Sequence, residues 1–153
     1  MANTYHQVCI QTIFAPKYRE ARLKKDLQQE AFAVIGNLIN ETGCKTYIVN
    51  GMEDHVHCLL GLKPTVCISD LMKAVKAKSS KHINDNHLTK ARFEWQEGYA
   101  AFSYCHSERD QVYQYILNQE AHHRTHTFQE EYREFLTTFG IDFEEQYLLE
   151  DLI

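Results

Sequence analysis

The chain has 153 residues, 44% of them hydrophobic and 12% aromatic, with six glycines and two prolines, a composition that excludes a disordered or fibrous protein and fits one domain over residues 1–153. Its net charge of −5 is unevenly spread: residues 1–127 carry 15 Lys+Arg against 13 Asp+Glu, and residues 128–153 one base against eight acids, so an acidic tail over about 140–153 does not exclude a polyanionic partner elsewhere. Apolar runs fall far short of the roughly 20 residues a membrane-spanning helix needs, no signal-peptide pattern opens the chain, and five cysteines without C-x-x-C spacing argue against a disulfide framework or a thiolate metal site; a cytoplasmic protein is expected.

Tyr5 to Ala15 is rich in β-branched and aromatic residues and predicts a first strand, closed by Pro16. From Lys17 to about Thr42, Leu23, Leu27, Phe32, Ile35, Leu38 and Ile39 recur at helical spacing, and Gly43 supplies the stop. Cys44 to Asn50 predicts a second strand, joined through Gly51-Met52-Glu53 to a third over Asp54 to Gly61, in an antiparallel hairpin that Pro64 ends. Ser69 is an N-cap candidate for a helix through about Asn84, with Leu71, Met72, Val75 and Ile83 facing the core. Phe93 to Tyr104 predicts an extended segment and strand, and Ser107 a cap for a helix from Glu108 to about His122. A last helix, from about Thr127 to Phe139, buries Phe128, Tyr132, Phe135 and Leu136, and Gly140 ends it. The order β-α-β-β-α-β followed by helices predicts an α+β, ferredoxin-like sandwich with a central antiparallel sheet and additional C-terminal helices.

The third strand carries the main chemical signal. Side chains alternate faces along a strand, so His55, His57 and Leu59 point one way and Val56, Cys58 and Leu60 the other. The two imidazoles lie side by side, and neutral imidazole is the commonest transition-metal ligand. The pair alone reads equally as two half-buried structural histidines. In the helix after Ser107, Tyr115 and Gln119 are four residues apart, within about 40° of each other on one face; taken alone, a packed tyrosine is the commoner reading. Tyr113 lies about 200° around from Tyr115 and cannot share that face. Residues 63–92 hold seven bases against Asp70 and Asp85, a patch suited to phosphates.

Together these stretches resemble the single-tyrosine HUH transposases, small enzymes that move bacterial insertion sequences as single-stranded DNA, and their REP-associated relatives. The resemblance runs through Phe14-Ala15-Pro16-Lys17-Tyr18-Arg19, Asp54-His55-Val56-His57, Ser79-Ser80-Lys81-His82-Ile83-Asn84, Trp95 to Ser103, Tyr115-Ile116-Leu117-Asn118-Gln119 and Phe128 to Tyr132. Glu53 stands where such proteins more often carry proline. The resemblance implies an HUH endonuclease fold, Tyr115 as nucleophile, and His55, His57 and Gln119 as ligands of a divalent cation, Mg2+ or Mn2+. It also implies single-stranded DNA with hairpin ends as partner and an obligate homodimer in which the tyrosine helix often completes the partner's site. No membrane and no nucleotide cofactor are expected.

Transesterification through a 5′-phosphotyrosine would then cut and rejoin DNA strands without ATP. Arg19, Lys73, Lys76, Lys78 and Lys81 are the candidate phosphate contacts, and Tyr18, Trp95, Tyr99 and Phe102 the candidate stacking platforms, with Trp95 and Phe102 better placed in a core or dimer interface. His122 and His123 fall near enough to reach the site but are expected at the surface or on DNA. The alternative is a catalytically retired or domesticated hairpin-binding protein of the same fold, for which the joint presence of His55, His57, Tyr115 and Gln119 has no purpose.

Overall fold

The computed structural model describes residues 3–153. Four strands, β1 (Cys9–Phe14), β2 (Lys45–Met52), β3 (His55–Gly61) and β4 (Ala100–Tyr104), form one antiparallel sheet in the order β2-β3-β1-β4. The central pair β1 and β3 is buried on both faces. Strands covered on both sides can spend one face on an apolar core and the other on a site. Ile10 and Phe14 of β1 and Val56, Cys58 and Leu60 of β3 belong to the larger core. Gln11, His55 and His57 point the other way and are just as inaccessible.

The larger core lies beneath α1 (Lys25–Glu41) and α2 (Ile68–Asp85), which bury Leu27, Phe32, Ile35 and Ile39, and Leu71, Met72, Val75 and Ile83. Helix α1 begins eight residues later than its periodicity predicts, because residues 17–24 are held by the hairpin instead. A 3₁₀ turn forms at Arg19–Ala21, and the Leu23 amide donates to the Glu53 carbonyl at 3.0 Å. Cys67, not Ser69, occupies the cap of α2; the Ser69 hydroxyl lies 3.0 Å from the Cys67 sulfur.

The predicted strand over Phe93 to Tyr104 is real only from Ala100. Upstream, the chain turns into the core: Asn84 holds the Phe93 backbone through bonds of 2.8 and 3.0 Å, and Trp95 stacks edge-on against Phe14 while its Nε1 donates to buried Ser79 Oγ at 2.9 Å. Side-chain packing and these polar anchors outcompete continued ladder pairing.

The opposite face of the sheet is roofed by α3 (Arg109–Leu117), the single turn α4 (Gln119–His122) and α5 (Phe128–Thr138). Phe128, Tyr132 and Leu136 of α5 cover Ile13, Ala100 and Phe102, and Thr127 caps the helix by accepting from the Glu130 amide at 3.2 Å, a contact worth about 1 kcal/mol. The acidic tail is tied down. Leu148 and Leu149 are buried, Gln129 donates to the Leu149 carbonyl at 2.7 Å, and Ile153 and Arg19 pair through the backbone at 2.7 Å. Among the described residues, no helix is long and apolar enough to cross a membrane.

Candidate active site

The β2–β3 turn sets the position of the two histidines. A Cβ at Gly51 would fall 2.2 Å from the His55 carbonyl oxygen, so only glycine lets the two strands close this tightly. His55 and His57 thus project from a strand bonded on both sides, into a space walled by α3, α4 and α5.

Each imidazole is oriented from behind. His55 Nδ1 lies 2.7 Å from the Asp54 carboxylate, which can only accept, so Nδ1 carries the proton and the Nε2 lone pair faces inward. His57 Nδ1 accepts from the Gln11 carboxamide at 2.8 Å, and its Nε2–H donates to Glu131 Oε1 at 2.9 Å. The Tyr104 hydroxyl fixes Gln11 by donating to Oε1 at 2.7 Å. Turning that carboxamide end for end would present Oε1 to His57 Nδ1–H and free Nε2 as a ligand.

The sequence places Tyr115 and Gln119 on one uninterrupted helix; the structure breaks it at Asn118. Asn50 of β2 donates its side-chain amide to the Ile116 carbonyl at 2.9 Å and the Leu117 carbonyl at 3.2 Å. Those acceptors are satisfied outside the helix ladder, so α3 ends at Leu117 and a new turn starts at Gln119. Both side chains still reach the histidines. Gln119 is fully buried with Oε1 3.0 Å from His55 Nε2, and the Tyr115 ring lies edge-on to His57 with centroids 6.2 Å apart. All of these groups come from one chain.

Sequence reasoning missed Glu131. It lies 1% exposed on α5, and its Oε1 lies 2.9 Å from His57 Nε2, 3.3 Å from His123 Nε2 and 3.4 Å from His55 Nε2. Its Oε2 accepts a short hydrogen bond from the Tyr115 hydroxyl and one from Gln119 Nε2 at 3.3 Å, and lies 3.3 Å from His122 Nε2. A signal was available: Glu131 sits three residues after Phe128 and four before Phe135, on the flank of the apolar stripe of α5. His123, expected at the surface or on DNA, also turns inward, and its side chain is 7% exposed.

Electrostatics follow from this burial. Burial pushes His57 toward the neutral form, below its ordinary range, against the pull of Glu131. Burial opposes the Glu131 carboxylate too, but hydrogen bonds from His123 and His57 and their fields hold it ionised far below its ordinary pKa. The Tyr115 phenol is driven well above its usual value, first by burial and then by the adjacent Glu131 charge. No free phenolate is stored here. The proton must leave as the oxygen reacts.

The arrangement fits a divalent cation. His55, His57 and Glu131 each offer a ligand atom within 4.8 Å of the others, and the donors are imidazole nitrogens and oxygens. His55 Nε2, an unprotonated nitrogen by its bond to Asp54, faces only acceptors: Gln119 Oε1 and Glu131 Oε1. Lone pairs opposed in this way call for a cation or an added proton between them.

Of the predicted DNA contacts, Arg19 borders a groove of about 930 Å³ that also takes in Arg22, Asp54, His123, Arg124 and His126. The lysines belong to α2, across the sheet from the imidazoles. Lys73 and Lys78 are exposed there, and Lys81 pairs with Asp85 at 2.5 Å. Lys76 is committed elsewhere, donating to the Gln96 and Gly98 carbonyls at 2.7 and 2.8 Å. Trp95 and Phe102 are core residues.

This geometry has counterparts in known proteins. A curated relative, the ISDra2 transposase TnpA of Deinococcus radiodurans, is 24% identical over 119 residues, covering 74% of this chain and 85% of that protein. A crystal structure of a protein assigned as a transposase from Deinococcus radiodurans R1 superposes with a TM-score of 0.61 at 26% identity, over 78% of this chain and 95% of that one. A REP-associated tyrosine transposase bound to a REP hairpin shares the fold, with a TM-score of 0.58 at 13% identity over 80% of this chain and 73% of that one. The family model described as "Transposase IS200 like" matches residues 4–119, from before β1 through Gln119. With that match spanning the sheet, the histidine pair and the tyrosine helix, the chain belongs to the IS200-like, single-tyrosine HUH transposase family.

Proposed function

We propose that this protein cleaves and rejoins single-stranded DNA at hairpin-bearing ends, with Tyr115 as nucleophile. The observation that supports this most is the convergence of Tyr115, His55, His57 and Gln119 on one point from elements far apart in sequence. His55, His57, Gln119 and Glu131 would hold a divalent cation of the Mg2+ or Mn2+ type. When bound, the cation supplies Lewis-acid polarisation of the scissile phosphate.

The chain's own residues account for the rest. Glu131 Oε2 accepts the phenolic proton as the bond from Tyr115 Oη to phosphorus forms and the bond from phosphorus to the 3′ oxygen breaks. The departing oxygen takes up a proton, giving a 5′-phosphotyrosine and a free 3′-hydroxyl. Attack by another 3′-hydroxyl reverses these events and joins a new strand, the phosphotyrosine having kept the bond energy. Arg19 and Arg124 line the groove that leads past His123 to the site and are the candidate phosphate contacts there, beside Glu53, Asp54 and Asp151 of the same groove. One tyrosine holds one strand end, so excising a segment with two ends calls for a homodimer, and residues 1–153 act as one transposase domain.

The test is incubation with labelled single-stranded oligonucleotides copied from the flanks of its gene, with Mg2+ or Mn2+, followed by denaturing electrophoresis. A covalent protein–DNA band that chelator abolishes is expected. Hairpin binding without any such band would identify a binding protein with retired chemistry and overturn the proposal.

A further inference from the structure

We propose that the pocket on the far side of Tyr115 from the Arg19 groove holds the base of a nucleotide next to the scissile phosphate, and selects bases that carry an exocyclic amino group over thymine. The inference deepens the reading of Tyr115 as a nucleophile on single-stranded DNA and rests on it.

Helix α5 lays out the track. Phe128, Glu131, Phe135 and Phe139 follow one another at helical spacings of three or four residues, so they share one face over about 16 Å. Phe128 borders the Arg19 groove, Glu131 lies among the imidazoles, and Phe135 and Phe139 wall a second pocket of about 410 Å³ together with Tyr104 and Tyr115. A strand whose scissile phosphate meets Tyr115 therefore has a neighbouring nucleotide over this pocket.

The pocket's chemistry suits a base and not a phosphate. Among the described residues, its lining includes no lysine, arginine or histidine, but it does include Glu108, Glu131 and Glu134. Its aromatic walls offer a stacking surface: Phe139 packs on Phe102 with ring centroids 4.6 Å apart and is still 37% exposed, and base–aromatic stacking tolerates every base. Selection must come from polar atoms, and the donors at the inner end are spent inside the protein. The Tyr104 hydroxyl donates to Gln11 Oε1 at 2.7 Å, the Gln11 amide to His57 Nδ1 at 2.8 Å and the Tyr115 hydroxyl to Glu131. Gln111 and Thr138, both exposed, can donate or accept and so do not discriminate. Glu108 gives one oxygen to the Cys105 amide at 2.9 Å and keeps the other, and Glu134 is exposed at the pocket. Carboxylates only accept. Adenine, cytosine and guanine bring an amino group to them, whereas thymine presents two carbonyl oxygens flanking its single N–H.

The test is adduct formation by the full chain with Mn2+ on oligonucleotides carrying each of the four bases, in turn, at the nucleotide on either side of the cleaved bond. At one of these positions thymine is expected to react slowest, by about tenfold against the best amino-bearing base, the size of one hydrogen bond to a charged acceptor. In Glu134→Gln, whose amide can also donate to a thymine carbonyl, that ratio should fall toward one. Phe139→Ala should weaken binding of all four bases about tenfold and keep the ratio. Equal rates with every base at both positions, thymine as the preferred base, or a ratio that Glu134→Gln leaves unchanged would overturn the proposal. No adduct with any base would overturn the cleavage reading instead, and binding then decides the pocket: by fluorescence anisotropy, labelled oligo-dC should bind more tightly than oligo-dT, by less in Glu134→Gln, and equal affinities in the native protein would overturn the selection.

Discussion

The Tyr115 hydroxyl donates to Glu131 Oε2 while the other oxygen of the same carboxylate lies among the Nε2 atoms of His55, His57 and His123. One buried side chain therefore touches both the nucleophile and the candidate ligands. Replacing it by leucine strands the His57 Nε2–H and the Tyr115 hydroxyl without partners in a dry interior. Loss of a buried charge from such a network costs about 3–5 kcal/mol, and the isosteric Glu131→Gln about 1–3 kcal/mol. Urea unfolding in the presence of chelator measures both; values within about 0.5 kcal/mol of the native protein would contradict this role.

Asn50 ends α3 by taking the Ile116 and Leu117 carbonyls. Asn50→Ala removes two hydrogen bonds and should cost about 1–2 kcal/mol. It should also weaken cation binding, because Gln119 begins the turn that this break creates. Denaturation together with titration calorimetry checks both effects. Unchanged cation affinity would show that the break is incidental to the site.

A cation bound only by the folded state must stabilise it by mass action. At a free concentration about 100 times the dissociation constant the gain is about 2.7 kcal/mol, visible as a rise in melting temperature that chelator reverses. His57→Ala should abolish the rise. A rise of equal size in that variant would place the cation elsewhere.

Thiol reactivity should separate the cysteines by environment. Cys58 is buried and desolvation pushes its thiol up to about 12, so it stays protonated and shielded at pH 8. Cys67 is exposed, and hydrogen bonds from the Ser69 hydroxyl and from the Asp70 and Ser69 amides lower its pKa. A lowered pKa means more thiolate at a given pH. Alkylation followed by peptide mass mapping should label Cys67 first and leave Cys58 unmodified until the protein unfolds. Early labelling of Cys58 would contradict the burial of β3.

The sequence made some of this legible and not the rest, for physical reasons. Strand alternation put His55 and His57 on one face, and helical spacing put Gln119 near Tyr115, because both relations are local and periodic. The break at Asn118 was not visible, because its cause is Asn50, 66 residues from the Ile116 carbonyl it binds. Glu131 hid in an acidic helix beside Glu130 and Glu134, whose composition reads as a solvated face although its spacing from Phe128 and Phe135 turns it inward. Lys76 read as a phosphate contact, since no local pattern announces that its ammonium reaches the carbonyls of Gln96 and Gly98.

The most direct measurement is identification of the residue that carries DNA. After reaction with a single-stranded oligonucleotide and Mn2+, the adduct is digested with nuclease and protease and the phosphorylated peptide sequenced by mass spectrometry. Phosphate is expected on Tyr115, with no adduct in Tyr115→Phe and an undiminished adduct in Tyr113→Phe. Phosphate on Tyr113, or an adduct that survives Tyr115→Phe, would contradict that assignment.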